Sequence, residues 1–154
     1  MANILLTRID NRLVHGQVGV TWVRSLGANL IVVADDLTAE DQLQQQLMEV
    51  TAKSSHVGIR FFSIQKTIDV INKASDKQLI FLIVRTPEDA RRLFDGGVPI
   101  DKLNIGNMHF SKGKTEFSKK VYLDETDAEN LDYLKSKNVD VFVQDVPDDR
   151  VIKY

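Results

Sequence analysis

Ile4-Leu5-Leu6-Thr7-Arg8-Ile9-Asp10-Asn11-Arg12-Leu13-Val14-His15-Gly16-Gln17-Val18 joins a short apolar run to an amphipathic segment. The apolar run reads as a strand over Asn3 to Leu6. Gln17 to Leu26 reads as a helix, with Val18, Trp22 and Leu26 on one face and Gly27 as its C-terminal stop. Between them lies a loop holding two arginines, an aspartate and a histidine. A strand-to-helix loop suits an anion, because free backbone N–H groups and the helix dipole both favour negative charge there. Arginine adds a planar fork that grips phosphate oxygens in pairs. Histidine adds a nucleophilic nitrogen that is largely neutral near pH 7. The stretch therefore predicts a phosphorylatable histidine on an anion-binding loop.

The rest of the chain repeats the strand-then-helix pattern. Leu30 to Ala34 is a continuous apolar run, as a buried parallel strand requires. Thr38 and Asp41 form a capping-box pattern, and the helix they open carries Leu43, Leu47 and Val50 at i, i+4, i+7 spacing. Val57 to Phe62 is a third strand, and Ile64, Ile68 and Ile71 stripe a third helix. Leu79 to Val84 is another buried strand. Thr86-Pro87-Glu88-Asp89 is a helix start, with Thr as N-cap, Pro at the first helical position and acids in the first turn. Gly96-Gly97 ends that helix. Leu103 to Ile105 is a short strand, followed by a polar loop from Gly106 to Lys114. Phe117 to Leu123 reads as a further strand, placed at an edge by Lys119-Lys120. Thr126 to Lys137 is a helix, Val139 to Val143 the last strand, and Pro147 to Tyr154 a polar tail.

This alternation predicts an α/β fold: an open, mainly parallel sheet of about seven strands with helices on both faces. In such sheets ligands bind beyond the carboxyl ends of the strands. The loops after strands one, two, four and five should share that edge. They carry His15 with Arg12, Asp35-Asp36, Arg85-Thr86, and Asn107 with His109.

Each candidate has a physical role to weigh. Phosphoryl transfer needs charge neutralisation and an in-line nucleophile. Arg12 supplies the charge, His15 the nucleophile, and the N–H groups near Gly16 and Gln17 directed donors; Gly16 has no side chain to block close approach. Asp10 either orients Arg12 or His15, or forms the turn. Arg8 either joins the phosphate site or pairs with a surface acid. Asn107 and His109, on a loop with Gly106, Gly113, Lys112 and Lys114, form a candidate second wall. Asp35-Asp36 read as structural, since a carboxylate facing a phosphoryl group repels it. His56 reads as a surface histidine and Trp22 as core. The three histidines lack metal-ligand spacing, so neither a metal nor a cofactor is expected. Histidine phosphatases and phosphoglycerate mutases resemble an Arg-His-Gly signature after a first strand; here Val14 precedes His15, which argues against them.

The bulk composition narrows the classes. At 154 residues, 43% of them hydrophobic, the chain suits one domain, residues 1–154. A net charge of -2 gives no basic field for nucleic acid. The absence of cysteine excludes disulfides, thiolate metal sites and cysteine nucleophiles. Neither a signal peptide nor an apolar run near the ~18 residues of a membrane span is present, so a soluble cytoplasmic protein is expected.

The Arg8-to-Val18 stretch resembles the IIB component of the mannose/fructose/sorbose family of the bacterial phosphoenolpyruvate-dependent sugar phosphotransferase system. The resemblance continues through Gly27-Ala-Asn-Leu-Ile-Val-Val-Ala-Asp-Asp36, returns at Lys102-Leu-Asn-Ile-Gly-Asn-Met-His109-Phe110 and spans nearly the whole chain. It is nearest to N-acetylgalactosamine-type members. The resemblance implies a phosphoryl group passed from enzyme I and HPr to a IIA histidine. It then reaches Nδ1 of His15, and from there a sugar brought in by membrane IIC and IID partners. It places the phosphate-contacting arginine on Arg12 and an aspartate on Asp10. It implies a mostly parallel sheet with one antiparallel strand, which suits Phe117 to Leu123, and a subunit separate from IIA, working at the inner face of the membrane through its permease partners. Leu13, Val14, Met108 and Phe110 are candidates for a docking rim, with core packing favoured for Val14. A homo-oligomer stays open, as does the sugar. A reading from another class is an anion- or phosphometabolite-binding regulatory protein without turnover; no G-x-G-x-x-G or Walker pattern supports a nucleotide ligand.

Overall fold

Strands that are apolar on both sides need helices on both sides, and the chain supplies them by reversing direction once. The computed structural model describes residues 2–154, the side chains of Gln17 and Val18 excepted. In order, the elements are β1 (Asn3–Asp10), α1 (Gly16–Leu26), β2 (Leu30–Ala34), α2 (Gln42–Ser54), β3 (Gly58–Phe62), α3 (Ile64–Val70), β4 (Leu79–Val84), α4 (Pro87–Asp95), β5 (Lys102–Asn107), β6 (Thr115–Ser118), β7 (Val121–Leu123), α5 (Glu125–Ser136), β8 (Asp140–Val143) and β9 (Ile152–Lys153). The main sheet has seven strands in the order β3-β2-β4-β1-β5-β8-β9. All pairs in it are parallel except β8 with β9.

From β1 the chain steps outward to β2 and β3, with α1 and α2 on one face. It then steps back through β4, β5 and β8, with α3, α4 and α5 on the other. Right-handed crossovers require that switch of face when the direction reverses. Strand residues alternate accordingly. Ile31, Val33, Phe81 and Ile83 pack with Trp22, Val23, Met48 and Ala52. Val32, Ala34, Ile80, Leu82 and Val84 pack with Ile64, Ala90, Leu93, Leu131 and Leu134. Each Val, Leu, Ile, Phe or Met side chain among them contributes about 1.5–3 kcal/mol by leaving water, and each alanine less. At the carboxyl edge, the connections leaving β1 and β5 run in opposite directions, which opens the crevice where such folds hold ligands.

Four expectations are corrected. The first strand does not stop at Leu6 but runs to Asp10, so Arg8 and Asp10 are strand residues facing α1 and not loop residues; their charges are tolerated there because they pair with each other. Thr38 does not cap α2. Its hydroxyl and amide both donate to Asp35 Oδ2, at 2.7 and 3.1 Å, Thr38–Glu40 forms a single 3-10 turn, and Asp41 accepts the N–H of Gln44 at 3.1 Å as the true cap. The apolar stripe of α2 also faces the other way: Met48 and Ala52 are buried, whereas Leu43, Leu47 and Val50 are 58–70% exposed. Periodicity shows which residues share a helix face; it does not say which face turns inward.

Finally, Phe117 to Leu123 is not one edge strand. It folds as the β6–β7 hairpin, with Lys119-Lys120 at its turn, and forms a separate two-stranded sheet. The hairpin docks on the end of β5, where Met108 N–H donates to Lys120 O and Tyr122 N–H to Met108 O, both at 3.0 Å. The antiparallel edge of the main sheet is instead β9, in the polar tail.

Thr86 and Pro87 start α4 as the sequence indicates, with the Thr86 hydroxyl accepting from Asp89 N–H at 3.2 Å. Gly27 ends α1 in the left-handed conformation.

Candidate functional site

β1 ends at Asp10, and the chain turns at once: Leu13 N–H donates to Asp10 O at 3.0 Å. Leu13 has φ +59°, a strained value for a branched side chain. The strain is offset by burial, since Leu13 and Val14 both sink into the core beneath α1. Met108 is buried too, so of the four candidates for a docking rim only Phe110 stands at the surface. With Leu13 and Val14 anchored, His15 occupies the N-cap of α1 in extended backbone, and Gly16 follows at φ +41°. Among the described residues no side chain caps α1, and no acid lies in its first turn. The positive end of the helix is therefore left for an outside anion.

The His15 ring turns back to Asp10, with Nε2 3.1 Å from Asp10 Oδ2. Asp10 is 1% exposed, and its oxygens also accept Arg8 Nη2 at 3.2 Å and the Arg12 N–H at 3.0 Å. An ionised carboxylate only accepts, so Nε2 carries the proton and the lone pair of the neutral ring sits on Nδ1. The His15 side chain is 21% exposed. Burial raises the Asp10 carboxyl pKa, but the hydrogen bond from His15, the Arg8 charge and the Arg12 amide outweigh it and hold the group below its ordinary value.

Arg8 lies behind Asp10, 2% exposed, and does not reach the surface. Its guanidinium donates to Asn104 Oδ1 at 2.6 Å and Gln144 O at 3.1 Å, and stands 5.4 Å over the Trp22 ring. Asn104 is its register partner across β1 and β5. Gly106 makes the room: a β-carbon there would overlap the Arg8 guanidinium. The glycine that reads as part of an anion loop thus belongs to β5 and houses a buried cation.

Two further residues, to which the sequence assigns no role, hold the edge together. Asn11 ties three loops together. Its N–H donates to Asn107 O at 3.0 Å and its Nδ2 to Arg85 O at 2.9 Å, while its Oδ1 accepts His109 N–H at 2.6 Å. Arg85 returns a bond to Asn11 O at 3.1 Å and grips Asp35 with Nε and Nη2 at 3.1 and 2.8 Å. The edge loops do converge, and Asp35 serves as their structural anchor. Asn11 is marked by its place within the motif and Arg85 by its place on the loop after the fourth strand; neither position indicates its partners.

Arg12 is exposed, and only its main chain is bound to Asp10. Its side chain lines a cleft with Asn107 and His109. Lys114 is paired with Asp127 at 3.0 Å and so belongs to the fold. The side chain of Gln17, a candidate phosphate ligand, lies outside the described residues. His56 is an exposed residue beyond α2. Among the described residues no group of three or more His, Asp or Glu side chains is arranged to hold a metal, and no helix is long and apolar enough to cross a membrane.

The depressed Asp10 and Asp35 carboxyls give a pH signature. A carboxyl held low in the folded chain stabilises it above the ordinary value of 3.8, and the contribution is lost as pH falls below that. Urea midpoints are therefore expected to fall steeply below about pH 4. Asp10→Asn should show a lower midpoint at neutral pH and a shallower acid decline. An acid decline as steep as wild type would show that Asp10 is not held low.

The fold and the loop define a class: an α/β protein that presents one imidazole, oriented by a buried carboxylate, at the carboxyl edge of a parallel sheet. Residues 4–153 match the family described as PTS system sorbose subfamily IIB component, and the chain belongs to that family. It is 58% identical to the N-acetylgalactosamine-specific phosphotransferase enzyme IIB component 1 of Escherichia coli (strain K12), over 96% of this chain and 94% of that one. The crystal structure of the PTS system N-acetylgalactosamine-specific IIB component 1 from Escherichia coli superposes with a TM-score of 0.97 at 56% identity, covering 99% of each chain. A more distant relative, the PTS system mannose-specific EIIAB component of the same strain, is 33% identical over 96% of this chain but only 46% of its own length. The protein is thus a IIB component of a sugar phosphotransferase system, with a role in sugar phosphotransfer.

Proposed function

We propose that the chain is a phosphocarrier whose His15 takes a phosphoryl group on Nδ1 from a IIA protein and gives it to a sugar held by IIC/IID membrane subunits at the inner face of the membrane. One observation carries the reading: Asp10 occupies Nε2, which leaves Nδ1 as the free nucleophile. In the first transfer the Nδ1 lone pair attacks phosphorus and the P–N bond to the donor imidazole breaks. In the second, a sugar hydroxyl attacks, the P–Nδ1 bond breaks, the imidazole returns neutral and the hydroxyl proton leaves to solvent. Asp10 stabilises positive charge on the ring while the phosphoryl group is attached. Arg12 and the α1 N-terminus, with its Gly16 and Gln17 amides, face the phosphoryl oxygens. Arg8 positions Asp10.

The relatives' names point to N-acetylgalactosamine as the sugar. The mannose relative, named EIIAB and about twice the matched length, supports a IIA partner. The activity is that of a protein-Nπ-phosphohistidine–sugar phosphotransferase. The test is intact mass after incubation with phosphoenolpyruvate, enzyme I, HPr and a cognate IIA. One added phosphoryl group, stable in base and lost in acid, is expected. An unmodified chain, with a IIA of proven competence, would overturn the carrier reading in favour of a non-catalytic anion-binding protein.

A further inference from the structure

Beside the His15 loop lies a shallow cleft of about 390 Å³ between the end of β5 and the β6–β7 hairpin. Arg12, Asn107, His109, Phe110, Lys119 and Tyr122 line it, with Lys120. Lys120 is neutralised by Asp145 at 2.6 Å. Among the described residues Arg12 and Lys119 have no acidic partner, and none of the lining residues is acidic; behind the rim, Glu116 accepts the Tyr122 hydroxyl at 3.3 Å. The floor of the cleft is Asn107, the register partner of Asp10. Asn107 is 6% exposed, and among the described residues its carboxamide has no hydrogen-bond partner. Its polar atoms are not among the buried unpartnered ones, so they open onto the cleft, where a ligand can meet them in place of water. At the rim, the Phe110 and Tyr122 rings meet edge to face, with centroids 5.5 Å apart, and Phe110 is largely exposed.

We propose that this cleft binds a monosaccharide phosphate, the product class of the sugar phosphotransfer in which the family acts. Two cations without an acidic partner suit a phosphate dianion, and the nearby acids Glu116 and Asp145 are each engaged by a lining residue and not part of the lining. The Asn107 amide both donates and accepts, as a sugar hydroxyl requires. The exposed aromatic ring offers an apolar face to the C–H side of a pyranose. A phosphate ion alone uses only the cations; the amide and the ring are what add the sugar. The volume is near the small end of the range for small-molecule sites, and the openness of the cleft sets the expected affinity at about 1 mM. The ligand would report accumulated product beside His15 and compete with the partners that must reach it. That consequence rests on the carrier reading, but the binding itself does not, because His15 is not among the cleft side chains.

The test is a two-dimensional amide NMR titration of the unphosphorylated chain with N-acetylgalactosamine 6-phosphate, N-acetylgalactosamine and inorganic phosphate. Saturable shifts centred on Asn107, His109, Lys119 and Tyr122 are expected. The sugar phosphate should bind about tenfold more tightly than phosphate, and the free sugar more weakly than either. Lys119→Ala should weaken both phosphates about fivefold. Phe110→Ala should lower only the sugar phosphate, towards the level of phosphate. Both side chains are exposed, so the variants keep the fold. His15→Gln should bind as wild type, which separates failure of this site from failure of the carrier reading. Equal binding of phosphate and sugar phosphate, unchanged by Phe110→Ala, would reduce the cleft to an anion site and overturn the proposal. Absence of saturation up to tens of millimolar would overturn it as well, and shifts appearing only with a protein partner would make the cleft a docking surface instead.

Discussion

His15→Gln is expected to abolish phosphorylation by IIA while leaving the fold intact. The glutamine carboxamide places an N–H near the position of Nε2, so the bond to Asp10 at the floor of the site has a substitute donor. What it lacks is a basic lone pair on the far side. The helix N-terminus and Arg12 still attract the donor's phosphoryl group, but nothing attacks it. Incorporation should fall below detection, since removal of a nucleophile from a preorganised site costs up to about 10⁶ in rate. The partly exposed position predicts a stability change within about 1 kcal/mol. Quantitative intact-mass kinetics and urea unfolding on the same preparations check both halves. Phosphorylation of the variant at a rate near wild type would move the acceptor to another residue.

The second large effect lies away from the surface. Gly106→Ala is expected to cost about 3–5 kcal/mol, the range for breaking a buried ion pair by displacing one partner. The new methyl group meets the Arg8 guanidinium, not the end of a mobile chain. Arg8 cannot swing aside, because Asn104, Gln144, Asp10 and the Trp22 ring hold it on every side. Its removal strands Asp10, and through Asp10 the tautomer of His15. Stability and phosphoryl acceptance should therefore fall together. Gly19→Ala is the control: its β-carbon would meet Val14 Cγ1 at 3.6 Å, an ordinary contact, inside a helix. It should be neutral or stabilise by up to about 1 kcal/mol. Urea denaturation of the two variants decides the matter, and a Gly106→Ala chain as stable as wild type would contradict the assigned role of Gly106.

These two effects mark what a reader of the sequence sees and what stays hidden. His15, Asp10 and Arg12 stand within six residues of one another, so their grouping around Asp10 is legible in one motif. The parallel sheet is legible for a similar reason: Leu30–Ala34 and Leu79–Val84 are apolar without interruption, as only doubly covered strands are. The end of β1 is not legible. Arg8 and Asp10 look like loop residues until Asn104 and Gly106 are brought beside them from the far half of the chain. The phase of α2 is hidden because two candidate stripes exist and only the packed neighbours choose Met48 and Ala52. Likewise Phe117–Leu123 has the composition of one strand, yet the lysine pair that suggested an edge is the turn of a hairpin. The antiparallel edge strand is two residues long, too short for any pattern. Asn11 and Arg85 act on partners in other loops, backbone groups for Asn11 and both the Asp35 carboxylate and the Asn11 carbonyl for Arg85, which no local signal records.

The central claim is that Asp10 selects which nitrogen of His15 carries the phosphoryl group. Long-range proton–nitrogen NMR of the phosphorylated chain, labelled with ¹⁵N-histidine, tests it directly. The expected spectrum shows a single phosphorylated histidine, substituted at Nδ1, with a protonated Nε2 in a hydrogen bond to Asp10. Substitution at Nε2, or at His109 instead of His15, would contradict it.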